Sequence, residues 1–309
     1  MRVISQDTYG GPEVLKETER EKPEPGIGEV LVRVRAAGLN PTDWKNRARS
    51  TTVSRPLPLV LGWDVSGEVE AVGFGVTLHK PGDEVFGMLP YPNGLGAFAE
   101  YVISPARALV PKPAELDHVQ AGALPLAALT AWQALVDVAG VGEGQRVLIH
   151  AAAGGVGHLA VQIAKERGAY VIGTASAGNH AFLRELGADE PLDYHAVDFA
   201  ETLSDIDAVL DPIGGEYGPR SVRTLRPGGT YVSLVGGSDG LRAEAERRGV
   251  RTEAMVVEHD QHGMRALAGM AAKGRLRAEI AGTYPLAEAA TAHTRGETGR
   301  TAGKLVLTV

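Results

Sequence analysis

From residue 1 to about 124, apolar positions come in short alternating runs broken by Gly and Pro. In "EVLVRVRAAG", Val30, Val32 and Val34 fall on one face of an extended chain, and Arg33 and Arg35 on the other. "GWDVSGEVEAVG", "GDEVFG" and "GAFAEYV" read as further strands with turn signals between them, which predicts an antiparallel β domain. Beyond residue 125 the period changes. Strands are expected at Arg146–His150, Tyr170–Ala175, Leu192–Tyr194, Ile206–Asp211, Thr230–Val235 and Ala254–Val257, with helical patterns between them. Such alternation predicts a parallel, doubly wound α/β sheet. From about 275 the β texture returns and ends in "GKLVLTV". The chain therefore divides into a β domain, 1–124 completed by 275–309, and an α/β domain, 125–274, inserted in it.

One junction carries chemistry. In "VLIHAAAGGVGHLAVQIAK" (Val147–Lys165) a buried-strand run meets small residues, and then Val156, Leu159, Ala160, Ile163 and Ala164 mark one helical face. Gly168 stands ready to cap that helix. Strand, glycine turn and helix make the context in which a dinucleotide fingerprint has meaning, although Ala152 replaces the first glycine. A side chain at Gly154 would keep a pyrophosphate from the backbone, and one at Gly157 would push the helix off its strand. Gly155, Val156 and Gly157 would then offer N–H groups at the helix start to the phosphates. Ala152 is tolerable there if it keeps a negative φ.

The cofactor's identity is read about 20 residues further on, where NAD-binding units carry a carboxylate for the ribose hydroxyls. Ser176 stands there, and no acid follows until Glu185. A carboxylate would repel a 2′-phosphate by roughly 4 kcal/mol at about 4 Å and an effective dielectric near 20. Ser176, with Asn179 and His180 as further donors, points to NADP(H).

Composition narrows the classes. Forty glycines, about twice the usual share, suit a chain full of tight turns. A net charge of −7 and the lack of a basic run argue against a nucleic-acid partner. With no cysteine, disulfides and thiolate metal sites are excluded, and a reducing cytoplasm is expected. The N-terminus has no apolar signal core. The most apolar window, Ala121–Val136, is about 16 residues long, short of the roughly 20 a span needs, and reads as a buried helix with Pro125 near its first turn. No membrane association is expected.

The motifs "GLNPTDWKNR", "LGWDVSGEVEAVG", "GDEVFG", "LPLAALTAWQAL", "HAAAGGVGHLAVQIAK", "LRELGAD" and "GKLVLTV" together resemble the zinc-independent quinone oxidoreductase branch of the medium-chain dehydrogenase/reductase superfamily. The resemblance covers essentially the whole chain. It implies a GroES-like antiparallel β domain plus a Rossmann domain, with the nicotinamide in the cleft between them. Asn40 stands where zinc members carry a ligand Cys, and Trp63 where they carry a ligand His. His259 and His262 are spaced to chelate but read as loop residues opening a helix. The resemblance further implies Asn40 at the cleft floor, Thr130 on the nicotinamide side and Tyr194 beside the adenosine phosphate with Ser176 and His180. It also lays the backbone of Val235 and Gly236 along the nicotinamide. Lys45 and Trp44, close to Asn40 in sequence, are candidates to face substrate, against surface and core roles.

The expected activity is metal-free hydride transfer from NADPH to a quinone or other conjugated carbonyl. An enoyl-thioester reductase of polyketide or fatty-acid type and a non-catalytic NADPH-binding sensor remain alternatives. A short-chain dehydrogenase does not, because none of the eight tyrosines has Lys four residues on. A homodimer is expected through the open edge near "AMVVEH".

Overall fold

In the computed structural model, which describes residues 1–237 and 239–309, the chain forms two compact units. One comprises Met1–Leu129 with Glu258–Val309, the other Thr130–Val257. The sequence division placed these joints at 124/125 and 274/275. The helix Gln261–Ala272 belongs to the outer unit.

The middle unit is a six-stranded parallel sheet in the order Glu190–Asp193, Tyr170–Ala175, Arg146–Ile149, Ile206–Asp211, Leu225–Ser233, Arg251–Ala254. Strand order reverses between Arg146–Ile149 and Ile206–Asp211, the point at which open α/β sheets bind ligands. Val147, Leu148 and Ile149 are fully buried, as the branched run required. The edge strand lies at Arg251–Ala254, not at the apolar Ala254–Val257. Its neighbour sets the register, with Thr230 opposite Arg251 and Ser233 opposite Ala254. An edge strand tolerates polar residues, so hydropathy misplaced it.

The outer unit holds a seven-stranded, largely antiparallel sheet. Its path runs Ile280–Pro285, Lys304–Thr308, Glu29–Gly38, Asp64–Val72, Glu84–Met88, Leu109–Pro111, and Tyr101–Pro105 pairs with Glu29–Gly38. Val30, Val32 and Val34 are buried and Arg35 is exposed, as the alternation predicts. A smaller three-stranded sheet joins Lys16–Glu19, Arg2–Gln6 and Leu59–Val60. The apolar window beginning at Ala121 is not one helix. Helix His118–Ala123 ends, and Pro125 opens a second, Pro125–Trp132, which continues as a π-helical stretch over Gln133–Val138. Proline has no N–H and its ring clashes with the preceding turn, so it suits a first position and breaks a helix elsewhere.

Each unit buries a neutral histidine. In the middle unit His150 lies between Thr174 Oγ1 (3.2 Å) and Ser221 Oγ (2.9 Å), and burial pushes it down to about 4. In the outer unit His293 packs edge-on against Trp44 and Phe98, and burial, then the Arg47 charge, pushes it down to about 3. The unfolded chain takes up these protons near 6.5, while the folded chain resists until about 4 and about 3. Stability is therefore intact above pH 6.5 and is lost as pH falls toward those values. Near pH 5 each histidine should withdraw about 2 kcal/mol. Thermal melts should reflect this, with a shallower acid slope in His150→Gln and His293→Gln; unchanged slopes in both would contradict it.

Candidate functional site

In the middle unit the C-terminal ends of the strands bring the predicted cofactor residues to one edge of the sheet. The turn after Arg146–Ile149 is tight. Ala152 keeps a negative φ, but Ala151 adopts φ 46°, a left-handed conformation costing a non-glycine residue about 1 kcal/mol. The Ala151 carbonyl accepts the Gly154 N–H at 2.8 Å. A Cβ on Gly157 would lie 2.3 Å from that carbonyl oxygen and 2.7 Å from Ala152 Cα, so helix and strand meet backbone to backbone. Gly154 differs: among the described residues its Cβ would touch only Ala151 O, at 3.1 Å, and otherwise enter open space. The fold therefore demands glycine at 157, whereas at 154 the open side is what a pyrophosphate would need. Helix Gly157–Glu166 starts at Val156 with no side-chain cap, and of its first N–H groups that of His158 is taken by Gly154 O at 3.1 Å.

Ser176 and Tyr194 follow directly on Ala175 and Asp193, which are register partners in adjacent parallel strands. The half-buried Ser176 Oγ accepts from Asn179 Nδ2 at 3.2 Å, and Tyr194 is exposed with the His195 ring 4.2 Å away. His180 opens the next helix, and its Nε2 is buried without a hydrogen-bond partner among the described residues. Val235 and Gly236 follow the strand Leu225–Ser233. Ser233 Oγ donates to Gly236 O at 2.7 Å, and Gly236 has φ 92°. The neighbouring loop is held by the fully buried Asp211, which accepts from Ile213 N (2.7 Å), Gly214 N (3.0 Å) and Tyr231 Oη (2.6 Å). Sequence reasoning passed over Asp211 because an acid ending a strand looks like any loop residue. These residues fit a nicotinamide dinucleotide: an uncapped helix start, an open glycine face and Ser176 at the position where an acid would hold the ribose hydroxyls.

In the outer unit Asn40 opens the helix Pro41–Ala48 and is 1% exposed. Its amide is held at both ends: Nδ2 donates to Asp64 Oδ2 at 2.8 Å, and Oδ1 accepts from Lys304 Nζ at 2.6 Å. The Lys304 ammonium also donates to Leu39 O at 2.7 Å and stands 3.7 Å from Asp64 Oδ2. Asp64 Oδ1 accepts the Leu126 N–H at 2.6 Å, in the first turn of the helix that carries Thr130. Asp43 accepts Asn40 N at 2.7 Å and Gly62 N at 3.0 Å. Burial pushes the Asp43 carboxyl up to about 8 and raises Asp64, and it lowers Lys304, whose charge the two carboxylates help to keep.

Lys45 is exposed on Pro41–Ala48, and the lysine that meets Asn40 is Lys304. Its signal was in the sequence, in "GKLVLTV", but nothing local ties residue 304 to residue 40. Trp44 packs against the helix Ala289–Glu297, where a Cβ on Gly296 would meet its ring at 2.7 Å. Thr130 is 7% exposed. His259 and His262 are exposed beside Asp260, whose carboxylate caps the helix Gln261–Ala272.

Two families match: "Alcohol dehydrogenase GroES-like domain" over residues 26–114 and "Zinc-binding dehydrogenase" over 186–307. The chain is 33% identical over 323 residues to the chloroplastic quinone-oxidoreductase homolog of Spinacia oleracea, covering 99% of this chain and 98% of that one. It is 34% identical to 2-methylene-furan-3-one reductase of Solanum lycopersicum, covering 99% and 79%. The solved quinone oxidoreductase of Coxiella burnetii superposes with a TM-score of 0.94 at 40% identity, covering 100% and 99%. The zinc that the second family's description implies does not fit this chain. Asn40 is spent between Lys304 and Asp64 and would bring a dication against a buried ammonium. Trp63, fully buried, gives its indole N–H to Pro92 O at 3.2 Å and has no lone pair to offer. Among the described residues no group of three or more His, Asp or Glu is placed to hold a metal. In fold, in motifs and in this replacement of the ligand set, the chain belongs to the medium-chain dehydrogenase/reductase superfamily, in its zinc-independent quinone oxidoreductase branch.

Proposed function

We propose that this oxidoreductase uses NADPH to reduce a quinone or another conjugated carbonyl compound without a metal. The observation that carries the reading is the phosphate-ready turn, Gly154–Gly157, with Ser176 in place of an acid. Bound there, the cofactor supplies a hydride. The chain's part is to hold and orient. Gly154, Gly155, Val156 and Gly157 cradle the pyrophosphate, Ser176, His180 and Tyr194 receive the 2′-phosphate, and Val235 and Gly236 line the nicotinamide. Asn40, Thr130 and Lys45 serve the acceptor. A hydroquinone oxyanion is a weak base that water can protonate, so positioning and exclusion of water are the main demands. Asn40→Ala and Thr130→Ala should then each lower turnover, where loss of an essential general acid would cost about 10²–10⁴-fold.

The deciding experiment follows NADPH oxidation against quinones, enones and enoyl thioesters, with a saturated alcohol plus NADP+ as the reverse control. Quinone or enone turnover supports the reading. Faster turnover of enoyl thioesters moves it to the enoyl reductase, and alcohol oxidation overturns it. The name of the tomato relative, a reductase of an exocyclic enone, supports conjugated acceptors as a class.

Preference for NADPH over NADH should be at least about tenfold, and Ser176→Asp should reverse or abolish it by setting a charge beside the phosphate. Calorimetry giving equal affinities for the two cofactors would refute this. The open edge of Arg251–Ala254, followed by the exposed Val256, supports a homodimer joined through that strand. Light scattering should return twice the monomer mass at micromolar concentration; the monomer mass would rule it out.

A further inference from the structure

The outer unit buries a complete ion pair whose connectivity exceeds what packing needs. Lys304 is 3% exposed and Asp64 is not exposed at all. Removing two charges from water is unfavourable, and a hydrophobic pair of similar volume often serves stability as well. The ammonium's three donors face three acceptors: Leu39 O, Asn40 Oδ1 and Asp64 Oδ2. Asp64 takes Asn40 Nδ2 on one oxygen and Leu126 N on the other. The Asn40 amide thus has its oxygen against a cation and its nitrogen against an anion, and flipping it would set like against like at both ends. A cation on an amide oxygen draws electron density from nitrogen and strengthens the remaining N–H as a donor. Among the described residues, that second Nδ2–H has no hydrogen-bond partner.

We propose that Lys304 is a positioning residue for the reduction, locking the Asn40 carboxamide in one orientation and polarising it, so that its free N–H stabilises the oxyanion forming on the acceptor. The proposal rests on the reductase reading above. Charge develops on the acceptor oxygen as hydride arrives, and a preoriented donor acts on that charge without reorganisation. The lysine touches neither acceptor nor cofactor; its effect passes through Asn40. Asp64 balances its charge and accepts the Leu126 N–H, which fixes the carboxylate that the amide faces.

The test compares Lys304→Met, Asn40→Ala and the double variant for kcat, acceptor KM, NADPH affinity by fluorescence and melting temperature. Lys304→Met strands the Asp64 charge, so Lys304→Met/Asp64→Asn, which removes both charges at nearly constant volume, is measured beside it. The expected result is a fall in kcat of at least about tenfold with NADPH affinity unchanged, and no further loss when Asn40→Ala is added to Lys304→Met. Lys304→Arg should recover part of the loss. A lower melting temperature with kcat within twofold of the parent makes Lys304 purely structural and overturns the proposal. Additive losses also overturn it, since the lysine would then not act through Asn40. A parent enzyme that reduces none of the acceptors overturns the functional reading, and this proposal with it.

Discussion

Gly157→Ala is expected to destabilise the middle unit by about 3 kcal/mol or more and to abolish NADPH binding. The new Cβ would lie 2.3 Å from Ala151 O, 2.7 Å from Ala152 Cα and 2.9 Å from Ala152 C. All three are backbone atoms of a turn already holding Ala151 at φ 46°, so none can rotate away. The helix must leave the strand, and the N–H groups at its start leave with it. Gly154→Ala is the control. Its Cβ meets one atom at 3.1 Å, so the fold should survive while a methyl group stands where the pyrophosphate would approach. Thermal melts and fluorescence titration with NADPH separate the two. A Gly157→Ala protein within about 1 kcal/mol of the parent would contradict the packing argument.

Asp211→Ala should cost roughly 3–5 kcal/mol, because it orphans three donors at once: Tyr231 Oη, Ile213 N and Gly214 N. Burial, then the bond to Asp211, holds the Tyr231 hydroxyl well above the usual tyrosine range, so this donor keeps its proton and depends on its acceptor. The Gly214–Gly215 turn, both residues at positive φ, loses its anchor, and Val235 beside it loses its neighbour. Asp211→Asn keeps one acceptor oxygen and should lose about half as much. Urea unfolding of the two variants gives the comparison; equal and small losses would mean that the loop finds other partners.

What the sequence made legible follows from the range of the interactions involved. The strand–turn–helix around Gly157 is a local pattern, and period and glycine placement predict it almost residue by residue. Ser176, directly after the strand Tyr170–Ala175, is legible because a fixed spacing from the glycine turn leads to it. The two-unit layout was legible as a change of period along the chain. The edge strand at Arg251–Ala254 was not, since its position is set by pairing with Leu225–Ser233 and not by its own hydropathy. The Asn40 cluster was out of reach for the same reason on a larger scale. Asn40, Asp64, Leu126 and Lys304 are far apart in sequence, and a lysine in a C-terminal strand carries no mark of burial. Only the closed sheet shows that its charge is spent inside.

The placement of Lys304–Thr308 has a consequence for synthesis. That strand lies between Ile280–Pro285 and Glu29–Gly38, pairing with Ala36, Ala37 and Gly38. On a ribosome, every strand of the middle unit has been made before this one exists. The nascent chain must then wait for roughly 50 more residues, some seconds at about 5–20 residues per second, with the end of Glu29–Gly38 unpaired and Asp64 without its cation. The middle unit is thus complete in sequence while the outer unit stays a host with an open seam. Chaperone demand, and the sensitivity of yield to codon choice after residue 257, should concentrate in that interval.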